Sequence, residues 1–422
     1  MTIHISKGVF DILPYSTEKW KESHLWHYIE TVASEMATLY GYHEIRTPLF
    51  EDTKLFHRSA GATSDIVVKK EMYTFQDRGD RSLTLRPEGT APVLRAFIEN
   101  NLAEKGVQKF FYLEPMFRYE RQQAGRYRQH HQFGVEAIGS NSPYQDVEVI
   151  HLLFSFFQKL GIRGLTLHLN SLGEKETRKI YGDRLKEFLQ ASYDQLSPES
   201  QERFHANPLR ILDSKSEQDK FLLQKAPSLT DLLEGKAKEH FDTVCTLLKE
   251  AHIPYQINPK LVRGLDYYSH TVFEITAEEL GAQNSLGGGG RYDGLIKELG
   301  GPDLPSIGFG AGLERIIQTM LAQQVSLPEP PKPLLFIIPL GERAHNKAFS
   351  LVCALRAEGI AAEMDFSERK LKSSMRYADS LGAHYVIVLG DAELESATVE
   401  LKNMLSGGAE KVPLSQLSHK LK

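Results

Sequence analysis

Over residues 326–333 the chain reads SLPEPPKP, and four prolines in eight positions close off most of what a backbone can do there. Proline lacks the amide hydrogen that a helix interior or central strand uses, and its ring clashes with the preceding helical turn. The segment is therefore a linker, and the 422-residue chain must fold as separate bodies on either side of it. Beyond it, LLFIIPL, a helical stretch over 343–358, IAAEMDF, a second helical stretch over 368–381 and HYVIVLG alternate strand with helix. That alternation predicts a small α/β domain with parallel strands over 334–422.

Upstream, over 1–327, a helical stretch around 20–40 is followed by short strand-like segments, RSLTLRP, KFFYLEPMFRYE and QFGVEAIG. Runs of strands with few helices between them predict an α+β domain whose antiparallel sheet is flanked by helices. From 172 to 255 the chain turns polar and mostly helical before strand-like segments resume, so this part reads as a helical insertion.

Composition removes several function classes. With 41% hydrophobic and 25% charged residues the chain is an ordinary globular one, and its net charge of -5 leaves no chain-wide basic footprint. Any contact with nucleic acid must come from local patches such as Arg369, Lys370, Lys372 and Arg376, which could equally be a solvated helix face. Two cysteines, Cys245 and Cys353, make no disulfide framework and no zinc spacing, which suits a reducing compartment. No run of 18 apolar residues and no signal-like N-terminus is present, so a cytoplasmic protein is expected, with no membrane contact.

The densest charge lies in FRYERQQAGRYRQHHQFGVE, residues 117–136, with four arginines, two histidines and two glutamates. Side chains alternate along a strand, so Arg118 and Glu120 share one face of FRYE, while Gln132, Gly134 and Glu136 share one face of QFGVE. Paired as an antiparallel hairpin, the two strands present one apolar face and one polar face. The polar face is either a binding floor or a solvated surface of cross-strand ion pairs. The intervening RQQAGRYRQHH forms a basic loop in which Gly125 permits a turn. Adjacent His130 and His131 point to opposite faces and lack acidic or cysteine partners, so no metal site is expected.

Other segments carry matching chemistry. Glu88 and Thr90, at a strand-to-helix junction, either hold an ammonium group or leave Thr90 as a helix cap. In LVRGLDYYSHTVFEI, Arg263 precedes Tyr267 and Tyr268, which are site residues or half-buried strand aromatics. SLGGGGRYDGL is neither a P-loop nor a dinucleotide fingerprint, although its four glycines allow backbone to approach a ligand closely. GFGAGLERII reads as strand, turn and helix start, with Arg315 in the first helical turn, where donors and dipole favour phosphate.

In these segments the chain resembles the class II aminoacyl-tRNA synthetases, and among them the histidyl-tRNA synthetase family. FRYE to QFGVE resembles the class's motif 2, GFGAGLER its motif 3, and YGYHEIRTPLFEDTKLFHRSAG its dimer-forming motif 1 region. LVRGLDYYSHTVFE and GGGGRYDGL are similar to the two signatures of the histidine enzymes, and KGVFDILP and NPLRILDSK also fit that family. The resemblance implies ATP-dependent activation of histidine and transfer to the 3' end of a transfer RNA by a homodimer using ATP and Mg2+. It implies catalytic roles for Arg118, Arg263 and Gln132. Histidine would be held by Glu88, Thr90, Gln132, Glu136, Arg263, Tyr267, Tyr268 and Tyr292, with Glu136 and Tyr268 on the imidazole. ATP would meet Arg118, Glu120, Arg126, Tyr127, His130 and Arg315. Two departures stand out: His130 where the family usually stacks a phenylalanine on adenine, and Gln122 for a proline. The C-terminal unit resembles the family's anticodon-binding domain. The competing expectation is a histidine-binding regulatory paralogue of a phosphoribosyltransferase, although such paralogues generally lack the C-terminal domain.

Overall fold

The computed structural model describes residues 3–60, 71–120, 126–278, 285–367 and 369–422. Gln122, Gly125 and Glu368 lie outside the described residues. The chain divides into two compact units, Met1–Pro328 and Glu329–Lys422.

In chain order the strands of the first unit are β1 (His43–Glu44), β2 (Phe50–Asp52), β3 (Tyr73–Gln76), β4 (Ser82–Leu85), β5 (Gln108–Phe117), β6 (Gln129–Ile138), β7 (Leu165–Ser171), β8 (Tyr255–Ile257), β9 (Ser269–Ala277), β10 (Ser285–Arg291) and β11 (Ser306–Gly312). Eight of them form one sheet in the order β1-β5-β6-β11-β10-β9-β7-β8, and β2, β4 and β3 form a separate small sheet. Every pairing from β5 through to β7 is antiparallel, whereas β1 on β5 and β8 on β7 are parallel. Both exceptions follow long connections, which a parallel pair needs and a hairpin does not supply.

The sheet's two faces divide its labour. On β6, Phe133, Val135 and Ala137 enter the main core, where they meet the helices Ser23–Leu39 and Pro143–Lys159. The second helix opens with Ser142 accepting from the Tyr144 amide and proline in the first turn, and it buries Ile150, Leu153 and Phe157 at helical spacing. Gln132, Gly134 and Glu136 face the other way.

Two sequence expectations change here. First, β5 ends at Phe117, so FRYE is not a strand: Arg118 still donates its amide to the Arg128 carbonyl at 2.9 Å, but the Tyr119 amide turns away to the Glu71 carbonyl at 2.7 Å. Second, the glycine run is a central strand, one of whose residues, Gly288, also lines a cavity. A Cβ at Gly289 would sit 1.9 Å from the Gly308 carbonyl oxygen, so the glycines let β10 and β11 approach each other. The helices Lys175–Gln190, Pro198–Ala206, Glu217–Leu222 and Gly235–Glu250 lie within 172–255. Tyr181, Leu185, Phe204, Ile211, Val244 and Leu248 from this stretch are part of the same core as β6.

In the second unit, β12 (Leu335–Pro339), β13 (Ala362–Met364), β14 (Tyr385–Leu389), β15 (Thr398–Asn403) and β16 (Ala409–Pro413) form one sheet in the order β13-β12-β14-β15-β16. The first three are parallel, and an antiparallel β15-β16 hairpin, which the strand-helix alternation did not anticipate, extends the sheet.

Candidate active site

The polar face of β5 and β6 floors a cavity of about 1140 Å³, whose walls include Glu88, Arg118, Arg126, Arg263, Tyr267 and Tyr268. The register of the hairpin sets its depth. Tyr112 stands opposite Gly134, and a Cβ on either Gly134 or Gly89 would come within 2.2–2.3 Å of the Tyr112 ring. These two glycines exist to admit that ring. On β11, Gly308 pairs with Glu136 and Gly312 with Gln132, so the glutamate and glutamine side chains lie across bare backbone. A Cβ on Gly308 would meet Glu136 Oε2 at 2.1 Å, and one on Gly310 would meet Gln132 Nε2 at 1.5 Å.

Glu136 is 1% exposed and takes three hydroxyls: Thr90 Oγ1 at 2.8 Å and Tyr112 at 3.3 Å on one carboxylate oxygen, and Tyr292 on the other. Burial disfavours the charged form and outweighs these bonds, so its pKa is pushed up to about 8. Thr90 is therefore not the helix cap. Glu88 takes that role, accepting the amides of Thr90 at 2.7 Å and Ala91 at 3.0 Å, while burial raises its own pKa. Tyr267 and Tyr268 precede β9 and line the cavity, stacked at 4.7 Å, with Tyr292 against Tyr267 at 5.7 Å. Both lie outside the strand that follows them, with a side of each on the cavity.

The cations are held by separate devices. Arg118 Nε donates to the Pro87 carbonyl at 2.7 Å. Arg263 pairs with Glu274 at 3.6 Å, and a Cβ on Gly288 would lie 3.0 Å from its Nη1. Arg126 pairs with Glu120 at 3.0 Å, and both line the cavity. Arg315, in the first turn of the helix Leu313–Ala322, donates to the Ser285 carbonyl at 3.0 Å; burial and the neighbouring Arg126 lower its pKa. His130 shares the face of Gln132 and Glu136, and its pKa falls to about 3 because of burial and the charges of Arg118, His131 and Arg315. It is a neutral ring at physiological pH.

Tyr127, His130, Glu136 and Arg315 were expected at the site but are not among the residues lining the cavity. Tyr127 sits among Phe10 and Trp20, 4.9 and 5.3 Å between centroids, and its hydroxyl accepts from Gln318 at 3.2 Å. His131 packs edge-on against Trp26 and bonds Glu314 at 3.0 Å on the opposite face from His130. Among the described residues no cluster of three or more metal-ligating side chains occurs. Conversely, Tyr112, Arg210, Asp213 and Lys215 line the cavity and were not singled out from sequence. Tyr112 could have been found by counting from Gly134 across the hairpin, whereas the other three belong to NPLRILDSK, distant in sequence from every strand of the floor.

Behind the floor, Arg291 anchors the residue that carries Tyr292. It is 1% exposed and donates Nε to Asp146 Oδ1 at 2.8 Å, with further bonds to the Ser140 and Ser142 carbonyls at 3.1 Å. Asp146, wholly buried, also meets His240 at 2.8 Å; although burial opposes it, His240 and Arg291 hold its carboxyl below the usual range. Asp146→Asn should destabilise the protein by roughly 3–5 kcal/mol, the scale for leaving one member of a buried pair uncompensated. Chemical denaturation measures it, and a change under 1 kcal/mol contradicts the pairing as drawn.

The family model described as histidyl-tRNA synthetase matches residues 8–316, and the anticodon binding domain model matches residues 335–422. The histidine--tRNA ligase of Protochlamydia amoebophila (strain UWE25) is 54% identical over 424 residues, spanning 100% of both chains. That of Chlamydia felis (strain Fe/C-56) is 48% identical over 96% of this chain and 94% of its own. The crystal structure of apo S. aureus histidyl-tRNA synthetase superposes with a TM-score of 0.84 at 39% identity, covering 100% of each chain.

Proposed function

The chain belongs to the histidyl-tRNA synthetase family, a histidine--tRNA ligase that charges transfer RNA with histidine at the expense of ATP, and from that premise we propose how its residues divide the work. Histidine's carboxylate attacks the α-phosphorus of ATP, pyrophosphate leaves, and the terminal adenosine hydroxyl of the transfer RNA then takes the histidyl group from the adenylate and releases AMP. Arg118 and Arg263 grip the α-phosphate from two sides, and the reaction is driven by positioning and charge stabilisation. Gln132 and Glu88 orient the histidine ammonium and carboxylate, while Glu136, Thr90, Tyr268, Tyr267 and Tyr292 enclose the imidazole. Arg126, Glu120 and Arg315 address the distal phosphates, with His130 and Tyr127 on the adenine side. Mg2+ enters as part of the ATP substrate, and Glu120 is one of several carboxylates on the cavity wall suited to it.

The observation that carries this reading is a buried carboxylate, Glu136, ringed by the hydroxyls of Thr90, Tyr112 and Tyr292, three residues that line a cavity whose walls bear several guanidinium groups. One end suits a small ring with polar edges and the other a polyphosphate. The test is amino-acid-dependent exchange of labelled pyrophosphate into ATP with each of the twenty amino acids. Exchange with histidine alone is expected, and exchange with another amino acid, or with none, overturns the reading. The regulatory-paralogue alternative is less supported, since both family models match and the relatives align over the full chain.

The domain boundary at 326–333, the homodimer and a cytoplasmic location belong to the same proposal. Each unit has its own buried apolar clusters. Truncation after Pro328 should therefore keep most of the exchange activity and lose at least about 10-fold in charging, because anticodon contacts come from Lys370, Lys372 and Arg376, all exposed. Equal loss of both activities contradicts the division. Exposed Leu39, Leu49 and Phe50 at the motif 1 region offer the dimer an apolar surface. Among the described residues no helix is long and apolar enough to cross a membrane.

A further inference from the structure

The loop that carries Arg263, Tyr267 and Tyr268 contains neither helix nor strand between Leu261 and Ser269. A segment without a ladder of its own must satisfy its carbonyls elsewhere. Here the donors are side chains, and three of them come from the 172–255 stretch. Arg210 Nη1 donates to the Arg263 carbonyl at 2.7 Å, Asn207 Nδ2 donates to Asp266 Oδ1 at 3.0 Å, and Arg178 Nη1 donates to the carbonyls of Asp266, at 3.4 Å, and Tyr268. Arg203 in turn donates to the Arg210 carbonyl at 3.2 Å, tying the clamp to its own helix.

We propose that the helical insertion is a positioning device for the catalytic loop, with Arg210 the residue that seats Arg263. It rests on the reading of Arg263 given above. Arg210 is only 3% exposed. Burying a guanidinium is a costly way to fill space, and an apolar side chain of similar volume would pack there more cheaply. What the guanidinium supplies is a rigid fork of donors on a short stretch of main chain. The rear of the same loop borders a second cavity of about 500 Å³, lined by Arg178, Asn207, Arg210 and Asp266. Val262 and Tyr267 anchor the loop in the apolar clusters, and the hydrogen bonds add a directional restraint on its main chain. A backbone shift of about 1 Å at the reacting group costs on the order of 100-fold in rate, so the clamp acts on turnover and not on affinity.

The experiment is a double-mutant cycle in the full-length protein with Arg210→Ala and Arg263→Gln, singly and together, read as pyrophosphate exchange at varied histidine and ATP. Arg210→Ala is expected to lower kcat by about 10- to 100-fold with KM for histidine changed less than about threefold, and the double variant to be no slower than Arg263→Gln within about twofold. Millimolar guanidinium should restore part of the Arg210→Ala rate, and Arg210→Lys should fall between the two. Losses that multiply in the double variant, or an effect confined to KM for ATP, would overturn the proposal, the latter because it marks Arg210 as a direct phosphate ligand. If Arg263→Gln alone behaves as the unmodified protein, the catalytic reading of Arg263 fails first and the positioning proposal falls with it. Should Arg210→Ala not fold, Arg178→Ala is read by the same cycle, and independence from Arg263 again refutes the idea.

Discussion

Arg263→Gln slows histidine-dependent pyrophosphate exchange by roughly 10²- to 10³-fold, the cost of removing one preorganised charge partner from a transition state. Glutamine keeps a polar donor but is shorter, so the loss combines the guanidinium charge with its reach. The geometry allows the arginine to act because Gly288 leaves its Nη1 room and Glu274 holds it at 3.6 Å, loosely enough to turn toward a phosphate. Histidine affinity, measured by equilibrium binding without ATP, should change little. Were binding to collapse while the single-turnover rate stayed intact, Arg263 would be a ground-state residue and the role assigned to it wrong.

Glu136→Gln is the second large effect, and it is pH-dependent. Replacing a charged acceptor by an amide of the same shape should reduce activation efficiency for histidine by roughly 10- to 100-fold, the value of one charge-assisted hydrogen bond. Gln can still accept from Thr90 and Tyr112 and donate to Tyr292, so the pocket keeps its form. The pKa of about 8 means the unliganded protein holds a proton on Glu136 at neutral pH, and an imidazole N–H favours its release. Between pH 7 and 8 the ring of free histidine is already neutral, so KM for histidine should fall with rising pH in the unmodified protein and stay flat in the variant. Stability moves oppositely. The folded pKa lies above the ordinary carboxylate value of 4.5, so stability from this group is full below about pH 4.5 and is lost as pH rises through 8. Urea midpoints at pH 5.5 and 8.5 should therefore converge in the variant. The same site should reject phenylalanine by roughly 10⁴-fold, since that ring leaves the buried polar groups unpaired. An unchanged pH dependence and unchanged ring preference in Glu136→Gln would place imidazole recognition elsewhere.

The part of this site that local rules govern could be read from the chain. Alternation on β6 is a property of consecutive backbone units, so the shared face of Gln132, Gly134 and Glu136 and the opposite face of Phe133 and Val135 follow from order alone. The linker is local for the same reason: proline acts within one residue of itself. Motif order carried the family, because ligand contacts restrict residue types more tightly than packing does.

What the sequence by itself determined, then, was the two-part organisation, the face of the hairpin and the chemistry on offer. The tertiary structure alone decided who meets whom. Thr90 reaches Glu136 across 46 positions, and Arg210 reaches Arg263 across 53. The same limit applies to the glycine run: that backbone at Gly289 approaches the carbonyl of Gly308 depends on a strand that arrives later in the chain. It also explains why FRYE ended its strand early, since the Tyr119 amide was drawn to Glu71 and not to the hairpin partner. Periodicity records which way a side chain points, a matter of a few bonds; which group waits there is settled by long-range packing, where burial and close approach set both the partner and, for Glu136, the proton.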